Sequence, residues 1–141
     1  MNYPRIVMAA VAALIVFFVY GFLVEGMLIR KDFALSATLY RTSDLQMKYM
    51  PLGIASVLVG LIAAAVLYAR WSGGASGAMT GLQFGLLMGV FTACVHALSN
   101  LVTMNMDLKL GLEIAASTFF GWLLAGITIG LVYKPPIAAG R

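Results

Sequence analysis

The chain has 141 residues, of which 62% are apolar and only 10% are charged, and its mean hydropathy is +0.99. Soluble domains are about half apolar and roughly a quarter charged, and small ones leave much of their surface in water. The composition therefore excludes a water-soluble globule and a disordered chain, and it indicates an integral membrane protein. Nucleophile-elbow, zinc-protease, Walker and dinucleotide-binding motifs do not occur in the sequence, so we predict a protein that is not an enzyme.

Four uncharged runs predict four transmembrane helices. A bilayer core about 30 Å thick needs roughly 20 helical residues, and three of the runs are close to that length. The fourth run, between Arg70 and Asp107, is too long for one helix, and its first part, 71–77, is typical of a Gly- and Ser-rich loop. We predict one all-α transmembrane domain, a four-helix bundle with both termini on the same side and helices at about 6–29, 50–69, 78–102 and 110–133.

The connection 30–49 is the longest segment predicted outside the bilayer. Its part 32–40 is mildly amphipathic and is expected to lie along the membrane interface. Two starts are open for the second helix. The Ser43–Gln46 segment fits a capping box, which would begin the helix there and leave Pro51 to kink it. Alternatively the helix begins at Met50, with Pro51 in its first turn.

The nine Lys and Arg residues are scattered near helix ends. This distribution fits contact with anionic lipid and does not indicate nucleic-acid binding. Four of them fall on the side of the termini, where there is no acid, and five on the opposite side, together with three Asp residues. The positive-inside rule then gives a slight preference for cytoplasmic termini. We expect the protein in the inner membrane of a bacterium.

A row of small residues is the strongest pattern in the sequence. In the third helix glycine or alanine recurs every four residues, so these small side chains share one face. Close backbone contact does much of the work of helix association in lipid, and the row predicts such contact, either within the bundle or with a second copy or another membrane subunit. This glycine row consists of Gly77, Gly81, Gly85, Gly89, Ala93 and Ala97, and the fourth helix has a counterpart in Gly126 and Gly130.

A polar face adjoins the glycine row. His96 and Asn100 lie one turn apart at about 60° from the row, and they are predicted to point toward protein and away from lipid. Glu25 and Glu113 belong to helix ends that reach the same membrane side, so the four side chains are expected to form one polar cluster. Ionisable groups within transmembrane segments are costly and often functional.

Three interpretations of this polar cluster are open. In the structural one, the carboxylates pair with Lys109 or other basic side chains at the headgroups, and His96 only joins helices. In the second, the cluster binds a proton or a small cation on a transport path. In the third, it holds a metal ion or haem through His96, the one histidine of the chain. The soft thioethers of Met104 and Met106 make copper a variant of this third interpretation.

Three segments of the second half of the chain carry a resemblance, namely Gly85–Gly89, Leu98–Leu101 and Gly126–Tyr133. Through them the chain resembles small bacterial inner-membrane proteins with four helices and no assigned activity, which implies the architecture and no mechanism. We expect a membrane subunit or scaffold without a cofactor, packed through the glycine row, whose partners are the lipid bilayer and a second copy or other membrane subunits. The alternative is a small ion-transporting or metal-handling protein that uses the polar cluster.

Overall fold

A computed structural model describes residues 1–35 and 41–135 of the chain. These residues are helical apart from short connections, and four of the helices are long and apolar enough to cross a membrane. The predicted all-helical architecture with four such helices is therefore confirmed. The α-helices are α1 (Tyr3–Leu23), α2 (Arg30–Leu35), α3 (Ser43–Trp71), α4 (Ala78–Thr92), α5 (Asn100–Thr103) and α6 (Leu108–Val132).

Two of the four spans change their helical type towards one end. α1 continues as a π-helix over Val24–Leu28, and α4 continues as a π-helix over Ala93–Leu98 before α5. Because the hydrogen bonds of a π-helix join residues five apart, its turn is wider than an α-helical turn and rotates the side chains that follow. With these segments included, the first span is Tyr3–Leu28 and the third is Ala78–Thr103.

α3 begins at Ser43, so the later of the two predicted starts is wrong and Pro51 lies inside the helix. Thr42 is the residue before the helix, and no side chain caps the first turn. The side-chain amide of Gln46 instead donates to the carbonyl oxygen of Arg41 at 2.7 Å. The predicted capping box is therefore also wrong, because Ser43 already lies within the helix.

The predictions for the two connections on either side of α3 have different outcomes in the structure. The predicted Gly-rich loop is present between Trp71 and Ala78, and Gly73 and Gly77 have φ angles of +58° and +117°, which L side chains rarely adopt. The predicted interfacial segment 32–40 is helical as far as the end of α2. The rest of that segment lies outside the described residues.

The main core holds α1, α3, α4 and α6 together at one end of the bundle, which we call the closed end. Tyr68 of α3 is completely buried there. Its ring packs edge-on against Phe84 of α4 and against Tyr133, with centroids 5.4 and 5.9 Å apart. The other buried residues of this core are Ile6, Ala9, Ala10, Ala13, Leu61, Ala64, Ala65, Ala125 and Ile129.

The first half of α3 leaves the bundle. α6 packs against α4 and α1, and α1 packs in turn against α3. Every residue from Ser43 to Ser56 is exposed, whereas Leu61 and the residues after it contribute to the core. α3 therefore diverges from α1 and α6, and an apolar cavity of about 150 Å³ marks the point where it does so. We call this opening the α3 cleft; its lining residues are Phe17, Val57, Gly60, Leu61 and Trp122.

Candidate functional site

The glycine row of α4 lies directly against α6. An ideal Cβ atom at Gly85 would be 2.6 Å from the carbonyl oxygen of Trp122, and one at Gly126 would be 2.5 Å from the Cα of Gly85. Real Cβ atoms essentially never approach backbone atoms so closely, so a side chain at either position requires one helix to shift. The contact continues to the start of α4, where the backbone N–H of Gly77 donates to the carbonyl oxygen of Gly130 at 2.8 Å.

The remaining members of the row also lie inside the chain. Gly81 and Gly89 are buried next to α6. Ala93 and Ala97 are buried in a second core, together with Ala115 of α6. The interpretation of the row as a face for an external partner is therefore wrong, because α6 of the same chain occupies the space that a partner helix would need.

His96 does not point toward protein, which corrects the predicted orientation of the polar face. It is exposed, and its imidazole makes no hydrogen bond or ion pair with the described residues. The physical reason is the π-helical segment Ala93–Leu98. Its wider turn places Ala97 almost directly above Ala93 and rotates His96 away from α6. Asn100 beyond it is half-buried.

The predicted metal site is not assembled. Among residues 1–35 and 41–135, no three His, Cys, Asp or Glu side chains lie close enough together to hold a metal ion. Glu25, His96 and Glu113 therefore do not form the predicted set, since the histidine faces outward. For the copper variant, Met104 is exposed and Met106 is half-buried.

Instead, a row of polar side chains follows one face of α6. Lys109, Glu113 and Ser117 lie at four-residue intervals and so share that face. The Nζ atom of Lys109 is 2.9 Å from Oδ1 of Asp32 and 3.6 Å from Oε1 of Glu113. Ser117 is only 5% exposed, and its hydroxyl donates to Oε1 of Glu25 at 3.2 Å. We call these five residues the polar ladder; it connects α2 and the π-helical end of α1 to α6.

One carboxylate of the polar ladder has a free oxygen atom. Oε2 of Glu113 is buried and accepts no hydrogen bond from the described residues. Tyr20 of α1 lies close enough to Ser117 and Glu25 to interact with both. The ladder thus has two carboxylates from different spans near a buried hydroxyl. The exposed Glu25 accepts a hydrogen bond from Ser117, and Glu113 lies one helical turn before Ser117, an arrangement able to bind a proton or a small cation.

Sequence reasoning identified Glu25, Glu113 and Lys109, and it missed Asp32, Ser117 and Tyr20. The position of Ser117 could have been predicted, because Ser117 follows Glu113 by one helical turn and a polar residue there extends the same face. The position of Tyr20 near Ser117 and Glu25 could not be predicted from the sequence, because it depends on how α1 is rotated against α6.

Comparison of the chain with protein-family models, with curated proteins and with solved structures finds no match. The resemblance of its second half to small bacterial inner-membrane proteins stays a prediction.

Replacing His96 with glutamine or with leucine is expected to leave the fold intact. The side chain has no partner among residues 1–35 and 41–135, so the free energy of unfolding should change by no more than about 0.5 kcal/mol. Unfolding of the purified protein in mixed micelles measures this, with bound metal determined on the same samples. A larger loss of stability, or a bound metal that disappears only from the variants, would show that His96 has a partner.

Proposed function

We propose that the chain is a non-enzymatic integral membrane subunit that associates with a second copy or another membrane subunit through the first half of α3. The observation that carries the proposal is the exposure of every residue from Ser43 to Ser56. The opposing parts of the other three spans all keep buried or half-buried residues. The four long apolar helices support membrane insertion.

The outward face of this half-helix has the pattern of a packing surface. Leu45, Leu52 and Val59 recur every seven residues, and all three are exposed. A seven-residue apolar repeat is the spacing that keeps one face of a helix against a partner helix. The small residues Ala55 and Ser56 lie between them, and small side chains allow close approach in lipid.

Photo-crosslinking in native membranes tests this association. A photoreactive residue in place of Leu52, which is 67% exposed, is expected to give a protein adduct of defined mass. The matched control is the same residue in place of Phe91, which is 59% exposed on α4 and has no exposed residue seven positions before or after it, because Phe84 is buried and Leu98 is half-buried. An adduct of twice the chain mass identifies a second copy, and any other defined mass identifies a different subunit. Absence of a protein adduct at Leu52, with the chain present in alkali-washed membranes, would disprove the subunit role.

We also propose cytoplasmic termini in a bacterial inner membrane, supported by the lack of acidic residues on the terminal side of the predicted topology. In a background without Cys94, cysteines in place of Met27 and Thr103 are then expected to react with a membrane-impermeant maleimide from outside the cell. A cysteine in place of Ser72 is expected to react only after the membrane is opened. The reverse pattern would invert the orientation, and a mixed pattern would contradict four spans.

A second candidate function is the binding of a proton or a small cation by the polar ladder. The observation that favours it is the Oε2 atom of Glu113, which is buried and has no hydrogen-bond partner among the described residues. Glu113 lies one helical turn before Ser117, whose hydroxyl donates to Glu25. Carboxylates within transmembrane segments are costly unless they have a partner or a function. The cation of Lys109 is 3.6 Å from the other oxygen of Glu113, which is too long for a strong hydrogen bond.

Neutralising the two carboxylates separates this candidate from the subunit role. In sealed vesicles containing the purified protein, Glu25→Gln and Glu113→Gln are expected to reduce proton or Na⁺ flux at least tenfold. The reason is that an amide is uncharged and does not ionise, so it neither attracts a cation as a carboxylate does nor takes up and releases a proton. Asp44→Asn is the matched control, since Asp44 is exposed at the start of α3 and outside the ladder. Flux equal to that of empty vesicles in the wild type, or unchanged flux in both Gln variants, would eliminate the candidate.

A further inference from the structure

We propose that the α3 cleft binds one acyl chain of an anionic phospholipid. The inference rests on the membrane insertion proposed above and is independent of the subunit role, which uses the outward face of α3. It assigns an occupant to the inward face of the same half-helix.

The size and chemistry of the cleft favour a single acyl chain. The cavity at its vertex has a volume of about 150 Å³ and is lined by apolar side chains from α1, α3 and α6. Apolar cavities of about this size stay dry and accept small apolar groups. A helix, with a diameter of about 10–12 Å, is too wide for the vertex, whereas the end of a hydrocarbon chain fits.

Gly60 keeps the vertex open. An ideal Cβ atom there would meet no atom within 4 Å, in contrast to Gly85 and Gly126, whose Cβ atoms would collide with a neighbouring backbone. Packing inside the chain therefore explains the glycines of α4 and α6 but does not explain Gly60. On the opposite wall, the rings of Phe17 and Trp122 meet edge-on, with centroids 6.5 Å apart.

The length of the cleft matches one leaflet of a bilayer. From Val57 to the first residue of α3, Ser43, the helix rises roughly 21 Å, and one leaflet of a bilayer, with its headgroup region, is about 20 Å thick. A chain whose end lies at the vertex therefore has its headgroup near the beginning of α3.

Basic side chains outnumber acidic ones around the beginning of α3, where Arg41 and Lys48 accompany one acid, Asp44, and further basic side chains follow the first span, whose end reaches the same membrane side in the predicted topology. Arg41 precedes α3, and its guanidinium lies 4.5 Å from the ring centroid of Tyr49. Arg30 and Lys31 follow the first span, and both are exposed and have no ion pair with the described residues. Asp32, the acidic residue next to them, is paired with Lys109. Unpaired cations at this level favour an anionic headgroup over a zwitterionic one.

Fluorescence quenching by brominated lipid tests the proposal. Trp122 lines the cleft, and Trp71→Phe leaves it as the single tryptophan of the chain. The protein is inserted into phosphatidylcholine vesicles that contain a small fraction of phosphatidylglycerol brominated in mid-chain, because bromine quenches tryptophan on contact. We expect saturable quenching of Trp122. Gly60→Leu, which fills the vertex, should at least halve it, and Val57→Phe should have the same effect.

Ala63→Leu is the matched control, because Ala63 is exposed on α3 and lies outside both the cleft lining and the Ser43–Ser56 segment, and its quenching should equal that of the wild type. Equal quenching in Gly60→Leu and Val57→Phe would overturn the cleft as the binding site. Equal quenching by brominated phosphatidylcholine would overturn the anionic preference. Quenching that falls as protein density rises, together with crosslinked dimers, would assign the cleft to a second copy. Failure of the protein to float with the vesicles would instead disprove membrane insertion.

Discussion

Replacing Gly126 with alanine is expected to destabilise the folded protein by about 1–3 kcal/mol, the usual range for overpacking of a tight interface. The new methyl group would lie 2.5 Å from the Cα of Gly85 and 2.6 Å from its nitrogen. Backbone atoms in the middle of a helix do not move independently, so α4 and α6 must separate along their length. The midpoint of unfolding in mixed micelles measures the loss.

The matched control is Gly53→Ala in the exposed half of α3, where an ideal Cβ meets nothing within 4 Å. The same chemical change there should be neutral or should stabilise by up to about 1 kcal/mol, since alanine favours the helix more than glycine. Equal shifts in the two variants would mean that α4 and α6 are not in backbone contact. Leucine at Gly85 should cost more than alanine at Gly126, because its larger side chain meets the same α6 backbone.

Helix number and the glycine row were predictable because each depends on local sequence. A run of about 20 apolar residues is long enough to cross a bilayer whatever surrounds it, and glycines at Gly81, Gly85 and Gly89 share a face in any α-helix. What the row contacts is a tertiary question. The counterpart glycines in α6 suggested an internal partner but did not exclude an external one.

The orientation of His96 was not predictable, because it depends on a change of helical type. The prediction assumed 100° per residue through the whole third helix, and the π-helical segment Ala93–Leu98 does not follow that spacing. The divergence of α3 from α1 and α6 was likewise not predictable. Its exposed first half, Ser43–Ser56, is less apolar than its second half. Apolar residues such as Leu52 and Ile54 are nevertheless exposed there, and no local pattern shows that they do not pack against the bundle.

The largest single effect is expected at Tyr68. Removing a large aromatic side chain from a core costs about 3–5 kcal/mol, and this ring is completely buried between Phe84 and Tyr133. Tyr68→Ala should therefore lower the stability of the bundle by that amount in mixed micelles. Tyr49→Ala is the matched control, because Tyr49 is exposed in the half of α3 that makes no contact with the core, and it should cost less than about 0.5 kcal/mol.

Tyr68→Phe separates the ring from its hydroxyl. The hydroxyl is buried and makes no hydrogen bond within residues 1–35 and 41–135, so its removal should be neutral or stabilising, because an unsatisfied buried polar group costs about 1–3 kcal/mol. A Phe variant as unstable as the Ala variant would show that the hydroxyl has a partner, with Thr80 the neighbouring side chain to test. Because α3 packs against the described part of the bundle only through its second half, Tyr68→Ala should also release the whole helix. Its amide hydrogens should then exchange faster over Leu61–Tyr68, and exchange over α6 should change less.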